Sequence, residues 1–156
     1  MNNIDILKER LENAGASVIL LTENQLQSCL ETHFPSILNF TDTVTCEEYR
    51  KASLEKMEKI DTALFAGRFA VAENGAIWLE DEDLPQRVLP FITQKLVLQI
   101  HVSKVVDTMQ EAYQQISLQN TGFGVFISGP SKTADIEQSL VYGAHGAREL
   151  TVIMLS

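Results

Sequence analysis

The residues with the clearest chemical potential lie in one polar stretch, at positions 128–137. A short apolar run at 124–127 precedes it, and an apolar spacing typical of a helix begins at Ile136. The pattern predicts a strand, a tight loop and a helix N-terminus, where backbone N–H groups and the helix dipole favour an anion. Gly129 permits close approach of the backbone, and Lys132 supplies a positive charge. We therefore expect this stretch to bind a small carboxylate or phosphate.

A second tight turn and a histidine flanked by glycines complete the predicted site. Glu73 precedes Asn74-Gly75 between two strand-like runs, which is typical of a β-hairpin with a type I′ turn. Glu73 and Glu137 are the candidates for a catalytic acid, base or nucleophile. The predicted ligand-binding residues are Asn74, Gly75, Ser128, Gly129, Ser131, Lys132, Thr133, Asp135 and His145.

Each of these residues also has a purely structural interpretation. Asp135 and Glu137 would compensate the dipole in the first turn of the predicted helix, while Lys132 points to solvent. Glu73 would be a solvated turn residue, and His145 a hydrogen-bonded structural histidine. The residues alone leave both interpretations open.

Other kinds of site lack their motifs. The loop does not have the spacing G-x-x-x-x-G-K-[ST], and neither G-x-G-x-x-G nor G-x-S-x-G occurs. The two cysteines, Cys29 and Cys46, form no C-x-x-C pair, and no histidine stands at metal-ligand spacing from another ligand. The chain is therefore expected to hold no metal and no cofactor of its own.

Charge and hydropathy restrict the class of partner. The chain has 156 residues and a formal net charge of −9, with no basic cluster, which argues against nucleic acid and anionic membranes as partners. No apolar run approaches the ~18 residues of a membrane span, and the first residues do not resemble a signal peptide. We expect a cytoplasmic protein, for which a homo-oligomer is allowed.

The elements that must position the site alternate along the chain. Helical spacing over residues 4–14 precedes an apolar strand at 17–21, and a second helix ends before Pro35. This alternation is typical of an α/β domain with a mainly parallel sheet, to which the hairpin at Asn74-Gly75 adds antiparallel strands. No linker or repeat divides the chain, so one domain is predicted over 1–156.

Two motifs give the chain a family resemblance. The run from Ser128 to Gln138, followed by Gly143-Ala144-His145-Gly146 and an apolar strand, resembles the C-terminal signature of the LUD domain, and more narrowly of the lactate-utilisation protein C family. The residues at 72–76 are similar to the family's Ala-Glu-Thr-Gly-Thr motif, with asparagine and alanine in place of the two threonines. Lys132 stands where arginine is usual.

The resemblance implies both a fold and a pathway. The implied fold is a three-layer α/β sandwich similar to the sugar-isomerase and CoA-transferase superfamily. The implied role is an accessory or ligand-binding component in the oxidation of lactate to pyruvate, beside partner proteins that carry iron–sulfur clusters. Two alternatives stay open: a stand-alone enzyme acting on a sugar phosphate or CoA ester through Glu137 or Glu73, and a scaffold without a site of its own. Whether the chain is an enzyme is not decided by its residues.

Overall fold

The computed structural model describes residues 1–117, 122–134, 140–142 and 146–156. The helices in these ranges are α1 (Asn3–Asn13), α2 (Glu23–His33), α3 (Thr43–Tyr49), α4 (Leu54–Glu58), α5 (Leu89–Ile92) and α6 (Met109–Ser117). The strands are β1 (Ser17–Leu21), β2 (Leu38–Asn39), β3 (Thr62–Ala66), β4 (Phe69–Val71), β5 (Ala76–Glu80), β6 (Lys95–His101), β7 (Val105–Val106), β8 (Gly124–Ile127), β9 (Lys132–Ala134), β10 (Leu140–Tyr142) and β11 (Glu149–Leu155).

A five-stranded parallel sheet lies at the centre, with the strand order β1-β11-β6-β3-β2. Its middle strands are apolar on both faces because both faces are covered. In β6, Leu96 and Leu98 point to one hydrophobic cluster while Val97 points to the other, beneath α2. The predicted α/β class with a mainly parallel sheet is confirmed, whereas the likeness to isomerases and CoA-transferases stays a prediction.

A mixed four-stranded sheet, in the order β7-β4-β5-β8, packs its inner face against the central sheet. Its outer face carries an aromatic cluster that α6 covers, with Phe69, Trp78 and Phe126 as its rings. The successive layers are therefore α2, the parallel sheet, the mixed sheet and α6. No helix in the described part of the chain is long and apolar enough to cross a membrane.

The predicted hairpin is present, but its turn is longer than expected. Strands β4 and β5 pair antiparallel with Val71 opposite Ala76, so four residues rather than two form the loop. The Gly75 N–H donates to the Val71 carbonyl oxygen at 2.9 Å, and Gly75 has a φ of +75°. The type I′ prediction was therefore wrong in loop length, although it placed the glycine where a left-handed conformation is needed.

The helix predicted after residue 131 is not present at the positions described. Lys132–Ala134 forms β9, which pairs antiparallel with β10, and Ala134 lies opposite Leu140. The run Leu140-Val141-Tyr142 fits a strand as well as a helix, and pairing with β9 decides the outcome. The dipole argument for Lys132 therefore no longer applies. Asp135, Glu137 and His145 lie outside the described residues.

Candidate functional site

The two sequence motifs meet at one end of the mixed sheet. Strand β8 runs antiparallel to β5 with Ile127 opposite Ile77, so the end of β8 lies beside the 72–75 turn. The Ser128 hydroxyl donates a hydrogen bond of 2.7 Å to the Asn74 carbonyl oxygen, across 54 positions of sequence. The hydrogen bond fixes the loop that follows β8 against the hairpin turn.

Helix α1 lies beneath both motif loops. A Cβ placed on Gly75 would come within 3.3 Å of the Arg10 Cβ, and one on Gly129 would come within 2.9 Å of the Ala14 Cβ. Gly129 has a φ of +101°, a conformation that costs glycine little. Both glycines are therefore needed for close packing against α1. The sequence analysis had instead explained them by the approach of a ligand.

Glu73 has a structural partner of its own. Its Oε2 accepts a hydrogen bond of 3.0 Å from the Met109 N–H, the first backbone N–H of α6, and its own N–H donates to the Asp107 carbonyl oxygen at 3.1 Å. A carboxylate at this position satisfies an otherwise unpaired donor and complements the helix dipole. Chemistry at Glu73 would require its carboxylate to leave this helix cap, and the catalytic assignment stays a prediction.

The Asn74 side chain stabilises the turn itself. Its Oδ1 accepts a hydrogen bond of 3.0 Å from the Ala76 N–H, two residues further on, which is the geometry of an Asx turn. Arg10 adds a contact from α1, because its Nε donates to the Glu73 carbonyl oxygen at 3.1 Å. The hairpin turn is thus held by its own asparagine and by a cationic side chain from α1.

A cleft of about 180 Å³ opens beside the loop that follows β8. The Ser131 N–H donates to the Ala147 carbonyl oxygen at 2.8 Å, which brings the start of the β9–β10 ribbon against the chain entering β11. None of the described residues that line the cleft is acidic or basic. They are Pro90, Phe91, Leu96, Phe126, Ile127, Ser128, Gly129, Ser131, Gly146 and Ala147.

The structure brings most of the predicted residues into one neighbourhood. Glu73, Asn74 and Gly75 form the turn that contacts Ser128, and Gly129 and Ser131 line the cleft with Ser128. Lys132 and Thr133 follow directly in β9. Asp135, Glu137 and His145 lie outside the described residues, so their roles stay predictions.

The sequence interpretation missed the contributions of α1 and α5. Arg10 and Ala14 support the two motif loops, and Phe91 forms an apolar wall of the cleft with 41% of its surface exposed. Contacts between α1 and the loops span more than sixty positions, so no local pattern could have indicated them. For Phe91, an aromatic residue directly after Pro90 was the available signal.

The clear pKa shifts occur at residues that do not line the cleft. Two hydrogen bonds of 2.9 Å from the Arg87 guanidinium lower the pKa of Asp81 below its usual value. Burial raises the pKa of the Cys46 thiol, which donates to the Phe40 carbonyl oxygen at 3.1 Å. Within the described ranges, no three His, Cys, Asp or Glu side chains come together in a way that could hold a metal ion.

Similarity to known proteins identifies the fold and the family of this chain. The whole chain superposes on 99% of a DUF162 family protein from Deinococcus radiodurans with a TM-score of 0.70 and 17% sequence identity, which shows a shared fold. The LUD domain family matches residues 4–155. The chain therefore belongs to the LUD domain family, and the match reaches further towards the N-terminus than the two motifs that first indicated it.

Curated relatives give the family a narrower context. The chain is 33% identical over 111 residues to lactate utilization protein C of Shouchella clausii, covering 67% of this chain and 48% of the relative. It is 28% identical over 168 residues to lactate utilization protein C of Bacillus subtilis, covering 97% of this chain and 68% of the relative. The chain thus spans about half the length of the first of these relatives and about two thirds of the second.

Proposed function

We propose that this protein is a ligand-binding or accessory component of lactate utilisation, and that the cleft beside Ser128 binds a small carboxylate or phosphate. The observation that carries the proposal is the contact between the two family motifs, in which the hydroxyl of Ser128, a residue that lines the cleft, donates to the Asn74 carbonyl oxygen. Relatives named lactate utilization protein C support the pathway.

The volume of the cleft supports a small ligand. The described residues form a cleft of about 180 Å³, smaller than the roughly 300–1,000 Å³ of sites for drug-sized ligands. Lactate and pyruvate are far smaller than a drug-sized ligand and suit a cleft of this size. A nucleotide or the body of a CoA ester would extend well beyond the space that the described residues enclose.

No charged residue lines the described cleft, but two cationic residues near it in sequence or structure support an anionic ligand. The chain carries a net charge of −9, so an anion requires a local positive potential. The cleft lining has no carboxylate among its described members, Lys132 follows Ser131 directly in sequence, and Arg10 lies at the hairpin turn. We assign to Lys132 the role of principal cation for the bound carboxylate.

Oxidation of lactate to pyruvate removes two electrons and two protons, which must pass to an acceptor. An iron–sulfur cluster generally takes four thiolates, and this chain contains two cysteines. In the proposed arrangement, partner proteins carry the clusters and the electrons, and this protein binds or presents the small acid.

Calorimetric titration with lactate, pyruvate and inorganic phosphate tests the ligand assignment. Wild type should bind at least one of the three, and Lys132→Ala should weaken binding roughly tenfold or more, because a charge-assisted contact contributes about 1.5–3 kcal/mol. Lys51→Ala is the matched control, since Lys51 is exposed between α3 and α4 and does not line the cleft. Equal affinity in the two variants, or no binding to wild type, would contradict the proposal.

The partner assignment needs a separate experiment. The tagged chain should capture proteins that contain iron and acid-labile sulfide from cells grown on lactate. Ser128→Ala should keep this association if the cleft serves the ligand alone. Recovery of the chain without such proteins would refute the accessory role while leaving the ligand assignment standing.

A further inference from the structure

The edge strand β1 has hydrogen-bonding groups that point away from the sheet. The Leu21 carbonyl oxygen accepts from the Ser156 N–H at 3.0 Å, on the β11 side. In a parallel ladder alternate residues bond to the same neighbour, so Ser17, Ile19 and Leu21 face β11. Val18 and Leu20 therefore direct their N–H and C=O groups outward, where no described strand pairs with them.

This edge lacks the features that usually prevent pairing. The segment Ser17–Leu21 contains no charged residue and no proline, and Leu20 is 53% exposed. The opposite edge of the same sheet is β2, which has two residues and so offers little template. Natural proteins normally shorten, charge or cover an exposed edge of this kind.

A neutral cleft lies beside the same strand. It measures about 690 Å³ and is lined by residues of β1 and α2, and none of its described lining residues is an aspartate, glutamate, lysine or arginine. In a chain of net charge −9, the described lining of this cleft therefore presents no carboxylate to a second acidic molecule. The residues on its α2 side are Asn24, Gln25, Ser28, Cys29, Thr32 and His33.

We propose that β1 pairs antiparallel with β1 of a second copy of this chain, about a twofold axis that passes beside Ile19. In this register Val18 of each copy lies opposite Leu20 of the other. The two outward-pointing residues flank Ile19 symmetrically, so the arrangement closes both pairs with four backbone hydrogen bonds. The exposed Leu20 side chain is covered by Val18 of the second copy, and the two parallel sheets join into one.

Symmetry favours a second copy over an unrelated peptide as the occupant. A twofold contact uses the same surface on both molecules, and here that surface is self-complementary in its hydrogen bonds and neutral in charge. The pairing is independent of the proposed ligand cleft, since none of the residues that line that cleft belongs to β1 or α2.

Light scattering coupled to size-exclusion chromatography tests the proposal. Wild type should elute with twice the chain mass of 17.4 kDa, and Leu20→Lys should elute as a monomer, since it places a charge at the centre of the joined edge. Leu54→Lys is the matched control, because Leu54 on α4 is exposed to almost the same degree, 55% against 53%, and should leave the dimer intact. A monomeric wild type, or a dimeric Leu20→Lys, would overturn the proposal.

Amide hydrogen exchange on wild type gives a result that does not depend on any variant folding correctly. In the dimer the Val18 and Leu20 amides should exchange slowly, and on dilution to monomer they should lose this protection. The Ile19 amide bonds to β11 in both states and should change far less. Fast exchange at Val18 and Leu20 in a dimeric sample would place the interface elsewhere and refute the pairing.

Discussion

Replacing Gly124 with alanine should disrupt packing more than the same change at the other glycines of the described residues. A Cβ at this position would overlap the Cη2 and Cζ2 atoms of Trp78 and lie 3.0 Å from its Cε2. Ordinary contact begins at about 3.4 Å, so the ring must move on the order of 1 Å. Gly124 begins β8, the strand that delivers Ser128 to the hairpin turn.

The Trp78 ring is held on several sides, which sets the size of the effect. It packs on Phe126 with 4.6 Å between ring centroids, and its Nε1 donates to the Glu80 Oε1 at 3.0 Å. Overpacking a filled core costs about 1–3 kcal/mol, and weakening the buried hydrogen bond to Glu80 adds about 0.5–1.5 kcal/mol. We expect Gly124→Ala to lower the free energy of unfolding by about 2–4 kcal/mol.

Chemical and thermal denaturation measure this loss, which should appear as a fall in Tm of roughly 5–15 °C for a chain of this length. Gly122→Ala provides the matched control two residues earlier. Its added Cβ would meet the Arg87 Nη2 at 3.4 Å and the Asp81 Oδ2 at 3.8 Å, both at the ends of flexible side chains. The control should stay within about 0.5 kcal/mol of wild type.

A double-mutant cycle isolates the cause. If the clash with the indole produces the loss, Gly124→Ala should cost at least about 1 kcal/mol less in a Trp78→Leu background than in wild type. Equal stability of the two glycine variants would refute the reasoning. So would a cost at Gly124 that is unchanged when the indole is absent, because backbone entropy rather than ring packing would then be responsible.

Three further predictions concern titratable groups. Glu73→Ala should lower the free energy of unfolding by about 1 kcal/mol, because the Met109 N–H loses its acceptor. Glu73→Gln keeps an acceptor oxygen and should cost less, and denaturation of both variants tests this. Arg87 lowers the pKa of Asp81 in the folded state below its ordinary value of 3.8. The pair therefore stabilises the fold at pH values above 3.8, and this stabilisation is lost as the pH falls through the folded-state pKa. The stability difference between wild type and Asp81→Asn should therefore close in acid, and a constant difference would contradict the pairing. Burial raises the pKa of Cys46, so iodoacetamide should alkylate it more slowly at neutral pH than it alkylates an unfolded control; equal rates would show that the thiol is not shielded.

Local patterns predicted the strands well because they reflect burial. The apolar runs at 17–21 and 124–127 and the two runs around Asn74-Gly75 each form strands, since covered sheet faces require apolar residues. The longer hairpin loop is stabilised by a local Asx turn at Asn74 and by Arg10 from α1, which donates to the Glu73 carbonyl oxygen. The Arg10 contact is tertiary and leaves no trace in the spacing of the turn, whereas the Asx turn was open to prediction from Asn74 itself.

The wrong prediction of a helix after residue 131 also arises from a contact that the local sequence does not show. A run such as Leu140-Val141-Tyr142 suits either a helix or a strand, and only the pairing of Leu140 with Ala134 selects the strand. The sequence did indicate that the two motifs lie together, because both carry turn glycines, and the Ser128–Asn74 hydrogen bond shows that they meet; their role as a binding site stays a prediction. The reason for those glycines, contact with α1, depends on residues far away in the chain.

Within one chain β1 pairs only with β11, which is the last described strand to be synthesised, and this order affects folding on the ribosome. About 130 residues separate Leu21, the end of β1, from Thr151, the first residue of β11 that pairs with β1. At 5–20 residues per second, β1 waits roughly 7–26 s for a strand to pair with. During that interval the backbone groups on both edges of the apolar Ser17–Leu21 segment are unpaired. A ribosome-associated chaperone that shields nascent chains should therefore increase the yield of folded protein. Slowing translation should lower it.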